Sequence, residues 1–197
     1  LRVQAAVNHQ VGVMFHQRFA LLARFADPAG IPPSTIAALW GIESNYGTRL
    51  GDFEVIPALA TLVYNNFRAS FFRQQLIAAL KILSQGHVSL HGMKGSWAGA
   101  LGQCQFIPTT FLLYGADGDG DGRADIWTNK ADVFASTCNL LTHVGWKPGL
   151  EWGEEIPAGT AAPKGARIVG NNHTMDEPTV ENNRETAVAM EPAGIVA

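Results

Sequence analysis

Apolar positions recur at helical spacing along most of this chain up to residue 144. His9–Phe25 forms one such run, ended by Asp27-Pro28 and Gly30. Pro32-Pro33 opens the next helix, where proline suits the first turn, and Gly47 is its stop signal. A short helix is predicted over Pro57–Tyr64 and a long one over Ser70–Gln85, with Phe71, Phe72, Leu76, Ala79, Leu80 and Leu83 as its stripe. Pro108–Tyr114 and Ala131–Val144 complete the set. No stretch alternates like a strand and no repeat is present, so the pattern predicts a mainly α protein.

One position breaks that pattern. The stripe Ile36, Leu39, Trp40 continues at i+7 to Glu43. A carboxylate on an inward face is costly unless paired or protonated, and desolvation raises a carboxyl pKa. That is how a general acid is made at neutral pH. Only Glu43 and Glu54 precede Glu151, so few other glutamates could take the role. The alternative is a helix-end residue that reaches solvent or meets Arg49.

The chain changes character near residue 152. All eighteen aromatic residues lie at or before Trp152. Residues 153–197 hold four prolines and carry three basic against seven acidic side chains; the preceding part carries eleven against ten. A stretch without aromatic rings buries little apolar area. The expected organisation is a body over 1–152 and an irregular or truncated C-terminal segment over 153–197.

A net charge of −3 gives no nucleic-acid footprint, and no apolar run approaches the ~20 residues needed to span a bilayer. The chain opens at Leu1 rather than methionine, as a mature or trimmed product would. Cys104 and Cys138 could pair or stay free, and the sequence does not decide. His87 and His91 lack zinc-site spacing and read as surface histidines.

Three segments carry chemistry. In Gly41–Gly47, the polar Ser44 and Asn45 and the aromatic Tyr46 crowd the opening beside Glu43, a mix that suits sugars with their apolar CH faces and hydroxyls. In Gly95–Pro108, small residues at 98, 99, 100 and 102 permit close backbone approach, Gln103 and Gln105 offer amides, and Phe106 offers a ring. The alternative there is a packed turn without a ligand. Third, Asp117-Gly118-Asp119-Gly120-Asp121-Gly122 is the opening of an EF-hand-like calcium loop. Arg123 would offer its carbonyl; Asp125 stands at position nine, and Thr128 stands at position twelve where glutamate is usual, so Asp132 is the candidate replacement. The calcium would be structural, and the alternative is a solvated acidic turn. No organic cofactor is expected.

Four blocks in order, "IPPSTIAALWGIESNYGTRLGDF", "IPALATLVYN", "KGSWAGALGQCQFIPTTFLLYGADGDGDGRADIW" and "DVFASTCNLLTHVGW", resemble the lytic murein transglycosylase B family of bacterial peptidoglycan-cleaving enzymes over residues 9–152. The resemblance implies a lysozyme-like, mostly helical fold. It implies cleavage of the β-1,4 bond between N-acetylmuramic acid and N-acetylglucosamine without water, leaving a 1,6-anhydro product. Glu43 matches the family's single acid and base, and Ser96, Gln105 and Phe106 match residues lining its saccharide groove. Asp117, Asp119, Asp121, Arg123 and Asp132 match its calcium loop. The chain departs from the family in Cys104, where many relatives carry Pro or Gly. It also lacks a tyrosine- and asparagine-rich "YN-S-YY" segment; residues 153–197 offer only Asn171, Asn172, Asn182 and Asn183.

The implied partner is the peptidoglycan glycan strand, handled by a monomer in the bacterial periplasm or at the outer membrane. Membrane association would come only through an N-terminal anchor outside this sequence. A hydrolytic muramidase using Asp52 or Glu54 as second carboxylate, and a non-catalytic peptidoglycan-binding module, are the alternatives.

Overall fold

The computed structural model describes residues 2–149 and three later segments, 154–156, 167–170 and 186–189. The chain divides into two compact units, Leu1–His143 and Val144–Ala197.

The first unit holds six α-helices: α1 (Arg2–Ala26), α2 (Pro33–Ser44), α3 (Val55–Tyr64), α4 (Ala69–Ser84), α5 (Pro108–Tyr114) and α6 (Lys130–His143). A 3-10 turn, Asp27–Ala29, closes α1, and Gly30 in the left-handed region returns its N–H to the Asp27 carbonyl. Helix α1 packs on α2 and α6, while α3, α4 and α5 pack in series. The core is formed by fully buried Leu22, Ile36, Leu59, Ile82, Leu101, Ile126 and Phe134. Trp40 of α2 meets Phe134 of α6 edge-to-face, with centroids 5.1 Å apart.

The long α4 corrects the expected stripe. Its buried residues are Phe72, Gln75, Ala78, Ala79 and Ile82, whereas Leu80 is exposed. A glutamine holds the inward face because its Oε1 accepts from both the backbone N–H and the hydroxyl of Thr109, each at 3.0 Å. It thereby satisfies an orphan donor at the start of α5.

The reading that no strand is present is also corrected. Two-residue strands β1 (Phe53–Glu54) and β2 (Lys94–Gly95) pair antiparallel, with Phe53 opposite Gly95 and Glu54 opposite Lys94. In the second unit β3 (Glu154–Ile156), β4 (Arg167–Gly170) and β5 (Thr186–Ala189) form an antiparallel sheet in the order β3-β5-β4. The C-terminal segment is therefore not wholly irregular. Strands of two to four residues hold too few alternations for a period of two to register in sequence. Asn171, Asn172, Asn182 and Asn183 lie outside the described residues.

Candidate active site

Helix α2 begins at Pro33, whose fixed φ suits the first turn. It ends in an unusual run of left-handed residues: Asn45 (φ 47°), Tyr46 (φ 59°) and Gly47 (φ 80°). Such a conformation costs a bulky residue ~1–3 kcal/mol, so the surroundings must impose it. The Ser44 hydroxyl donates to the Trp40 carbonyl at 3.1 Å and accepts the Gly47 N–H at 3.1 Å. Asn45 Nδ2 donates to Thr48 Oγ1 at 2.8 Å. The reversal lays the Tyr46 ring back over α2, edge-on to Trp40 at 5.3 Å. A Cβ at Gly41 would sit 2.8 Å from that ring, so a side chain there would push the Tyr46 ring aside.

The buried face of α2 is Ile36, Ala37, Trp40 and Ser44. Glu43 flanks this stripe and is exposed, which corrects the expectation that it points inward. Ile36 and Trp40 belong to both faces, but the buried one runs on to Ala37 and Ser44 rather than to Leu39 and Glu43, a roll of roughly 65°. Partial burial still raises the Glu43 carboxyl above the usual glutamate value. Among the described residues no hydrogen bond or ion pair engages its side chain; the ion pairs there are His91–Glu54 and Arg123–Asp121, so Arg49 does not neutralise it. Behind it lies Cys104, whose thiol is pushed up to about 12, chiefly by burial and further by the charge of Glu43. Cys104 and Cys138 are both buried free thiols.

The segment after β2 closes on itself. Ser96 Oγ accepts the Ala100 N–H at 3.0 Å, and Leu101 and Phe106 exchange backbone hydrogen bonds. Phe106 is 5% exposed, so its ring belongs to the core. Gln105, in the left-handed region at φ 49°, donates Nε2 to the carbonyls of Leu50 and Gly102 at 3.1 and 2.9 Å. Gln103 is 3% exposed. Its Oε1 accepts from Trp40 Nε1 at 2.7 Å, and its Nε2 donates to the Trp127 carbonyl at 2.8 Å. Of these residues only Ser96 and Gln105 keep part of their surface open. Beside them Trp97 is 56% exposed and Phe53 54% exposed. Sequence reading passed over these two rings because apolar periodicity assigns aromatics to the interior.

In the acidic loop, ligand oxygens of Asp117, Asp119 and Asp121 lie within 4.8 Å of one another. Asp117 accepts N–H bonds from Gly120, Asp121 and Gly122, the last of these doing most to hold its carboxyl below the usual aspartate value. Three hard oxygen donors so close repel one another unless a cation or proton sits between them, and the donor set fits calcium. The Arg123 guanidinium contacts Asp121 at 3.2 Å. Asp132 sits apart from the cluster, fully buried, accepting from the N–H groups of Gly118 (2.7 Å) and Asp125 (2.6 Å). Burial, opposed by those two bonds, raises its pKa. Asp125 caps the turn ahead of α6 through the N–H groups of Trp127 and Thr128, both at 2.9 Å, and the Thr128 hydroxyl. His87 is not a mere surface histidine: its Nδ1 accepts the Ala124 N–H at 3.1 Å and its ring meets Phe111 edge-on.

A helical body that carries one partly desolvated carboxyl at a helix end has the architecture of the lysozyme-like folds. The chain belongs to the family described as the transglycosylase SLT domain, whose model matches residues 2–192 and so extends past residue 152, where the resemblance read from the sequence blocks stops. It is 33% identical over 144 residues to membrane-bound lytic murein transglycosylase B of Escherichia coli K12, covering 72% of this chain and 40% of that one. SltB3 from Pseudomonas aeruginosa, solved in complex with NAG-NAM-pentapeptide, superposes with a TM-score of 0.79 at 34% identity over 93% of this chain and 56% of that one. SltB3 solved with NAG-anhNAM-pentapeptide gives 0.78. Escherichia coli lytic transglycosylase Slt35 in complex with calcium gives 0.76 at 25% identity, covering 93% of this chain and 65% of that one. The chain thus spans about half the length of the relatives it matches. No helix among the described residues is long and apolar enough to cross a membrane.

Proposed function

We propose that this chain is a peptidoglycan lytic transglycosylase that cuts the β-1,4 bond between N-acetylmuramic acid and N-acetylglucosamine, with Glu43 as its single acid and base. The observation that carries this reading is the state of Glu43: partial burial raises its carboxyl, and no ionic or hydrogen-bonding partner among the described residues holds its charged form. The similarity to a protein solved with both NAG-NAM- and NAG-anhNAM-pentapeptide supports the substrate class.

The neutral Glu43 carboxyl donates its proton to the glycosidic oxygen as the bond to muramoyl C1 breaks. The resulting carboxylate accepts the proton of the muramoyl 6-hydroxyl while O6 bonds to C1. Glu43 ends the cycle protonated and no water is consumed. An internal nucleophile exploits proximity and removes the need for a second carboxylate. Glu54, one candidate for that second role, is exposed and paired with His91 at 3.8 Å. Ser96, Gln105 and the exposed Trp97 offer polar and ring surface for the strand.

Asp117, Asp119 and Asp121, with the Arg123 carbonyl, would hold a structural calcium ion, whose charge would relieve their mutual repulsion. The two N–H bonds of Asp132 tie the loop to α6. We place the protein in the periplasm or at the outer membrane, where its substrate lies.

The test is digestion of purified cell-wall sacculi by wild type and Glu43→Gln. Release by the wild type, with a loss of at least about 10³-fold in the variant, is expected. Release by the variant at the wild-type rate would remove Glu43 from the acid role. A wild type that binds strands but releases nothing would favour a binding module.

A further inference from the structure

Gln103 joins three segments from inside the core. Its side chain accepts from the indole of Trp40 on α2 and donates to the Trp127 carbonyl, and its own N–H donates to the Ile126 carbonyl at 2.8 Å. Trp127 is itself anchored, its indole donating to the Lys94 carbonyl of β2 at 3.0 Å. At 3% exposure this amide has no surface for a saccharide, the role its sequence context suggested.

We propose that Gln103 is a positioning residue for Glu43: by clamping Trp40 to the exit of the acidic loop, it fixes the roll of α2 and so the direction in which the helix end presents the carboxyl. The proposal rests on Glu43 being the acid.

The geometry explains why a clamp is needed. Helix α2 is twelve residues long and is followed by three left-handed residues rather than another regular element. The edge-on contacts of Trp40 with Tyr46 and Phe134 are ring contacts that engage no hydrogen bond of the indole N–H. A 2.7 Å hydrogen bond is directional, and its acceptor is held from its other end. Glu43 lies three residues beyond Trp40, so it turns with it. A roll of about 20° moves a group ~5 Å from a helix axis by about 2 Å. Misplacement of a reacting group by about 1 Å can cost ~10²-fold in rate.

The test compares Gln103→Leu, Gln103→Glu, Trp40→Phe and Glu43→Gln for kcat and KM on soluble NAG–NAM glycan strands, at a temperature where melting curves show each variant folded. The Trp40 indole N–H resonance is recorded alongside. Gln103→Leu and Trp40→Phe are expected to lose about 10- to 100-fold in kcat with KM within about twofold, and the double variant to be no worse than either single one. Gln103→Leu should also lose the hydrogen-bonded indole signal. A buried glutamic acid stays protonated, accepting from Trp40 and donating to Trp127, so Gln103→Glu should recover most of kcat and keep the signal. A folded Gln103→Leu with wild-type kcat, a raised KM at unchanged kcat, or losses in kcat that track only the unfolded fraction would each overturn the proposal. Glu43→Gln separates the two levels. If it is inactive while Gln103→Leu is unaffected, only the positioning role fails; if it cleaves normally, the acid assignment itself fails.

Discussion

A methyl group on Gly47 would lie 2.3 Å from Oε1 of Gln103. The left-handed turn after α2 and the buried amide thus occupy space that admits only glycine, and Gly47 also needs φ 80°. Gly47→Ala combines a strained φ with overpacking of an amide held at both ends. Unfolding by denaturant should show a loss of about 2–4 kcal/mol. A loss under about 0.5 kcal/mol would mean that the amide can move aside freely.

Glu43 sets a pH dependence with a definite sign. Its folded pKa lies above the usual value because burial disfavours the charged form. The neutral form therefore contributes stability that is present below the unfolded pKa and is lost as pH rises through the folded one. Cleavage should decline in the same direction, since the reaction starts from the protonated acid. Glu43→Gln should melt no lower than wild type at pH 7, and its melting temperature should vary less with pH across that window. A rate that rises through the window would contradict the assignment.

Calcium should stabilise the protein through the acidic loop. At one hundred times its dissociation constant a ligand contributes about 2.7 kcal/mol, and for a chain of this size each kcal/mol moves the melting temperature about 2–4 °C. A calcium-dependent rise of that order, absent in the Asp117→Ala, Asp119→Ala double variant, is expected. Scanning calorimetry with calcium and with a chelator measures it. An unmoved wild-type transition would count against a metal site.

Asp132 is expected to matter even without calcium. Replacing it with Asn leaves one of the Gly118 and Asp125 N–H groups facing another donor. The cost of a buried unpaired group is about 1–3 kcal/mol. Denaturant unfolding of the apo Asp132→Asn protein reads this directly.

Burial pushes the thiols of Cys104 and Cys138 to about 12 and about 11, so both remain protonated well above neutrality. A thiol-specific reagent at pH 8 should find neither in the folded protein and both after denaturation. Rapid modification of the native protein would show that these side chains are accessible.

Punctuating residues made most of the helical body legible. Pro33 and Gly47 bracket α2, and the Asp-Gly alternation marks the acidic loop. Rotation about a helix axis was not legible. Glu43 and Leu39 lie beside the buried stripe because the turn at 45–47 and the Trp40–Gln103 bond set the roll of α2, and neither is encoded in apolar spacing. Gln103, read as an amide for a saccharide, and Gln75, which apolar spacing leaves out of the stripe, are buried for a shared reason: each satisfies backbone or indole groups far away in sequence. His87 was misread likewise, since its partner Ala124 is 37 residues on.

Digesting sacculi in water enriched in heavy oxygen, followed by mass spectrometry of the released muropeptides, tests the central claim most directly. Cleavage by Glu43 with the substrate's own 6-hydroxyl predicts unlabelled 1,6-anhydro ends, one water lighter than hydrolysed ones, from the wild type and none from Glu43→Gln. Reducing ends carrying the heavy oxygen would show that water is the nucleophile and would contradict the account.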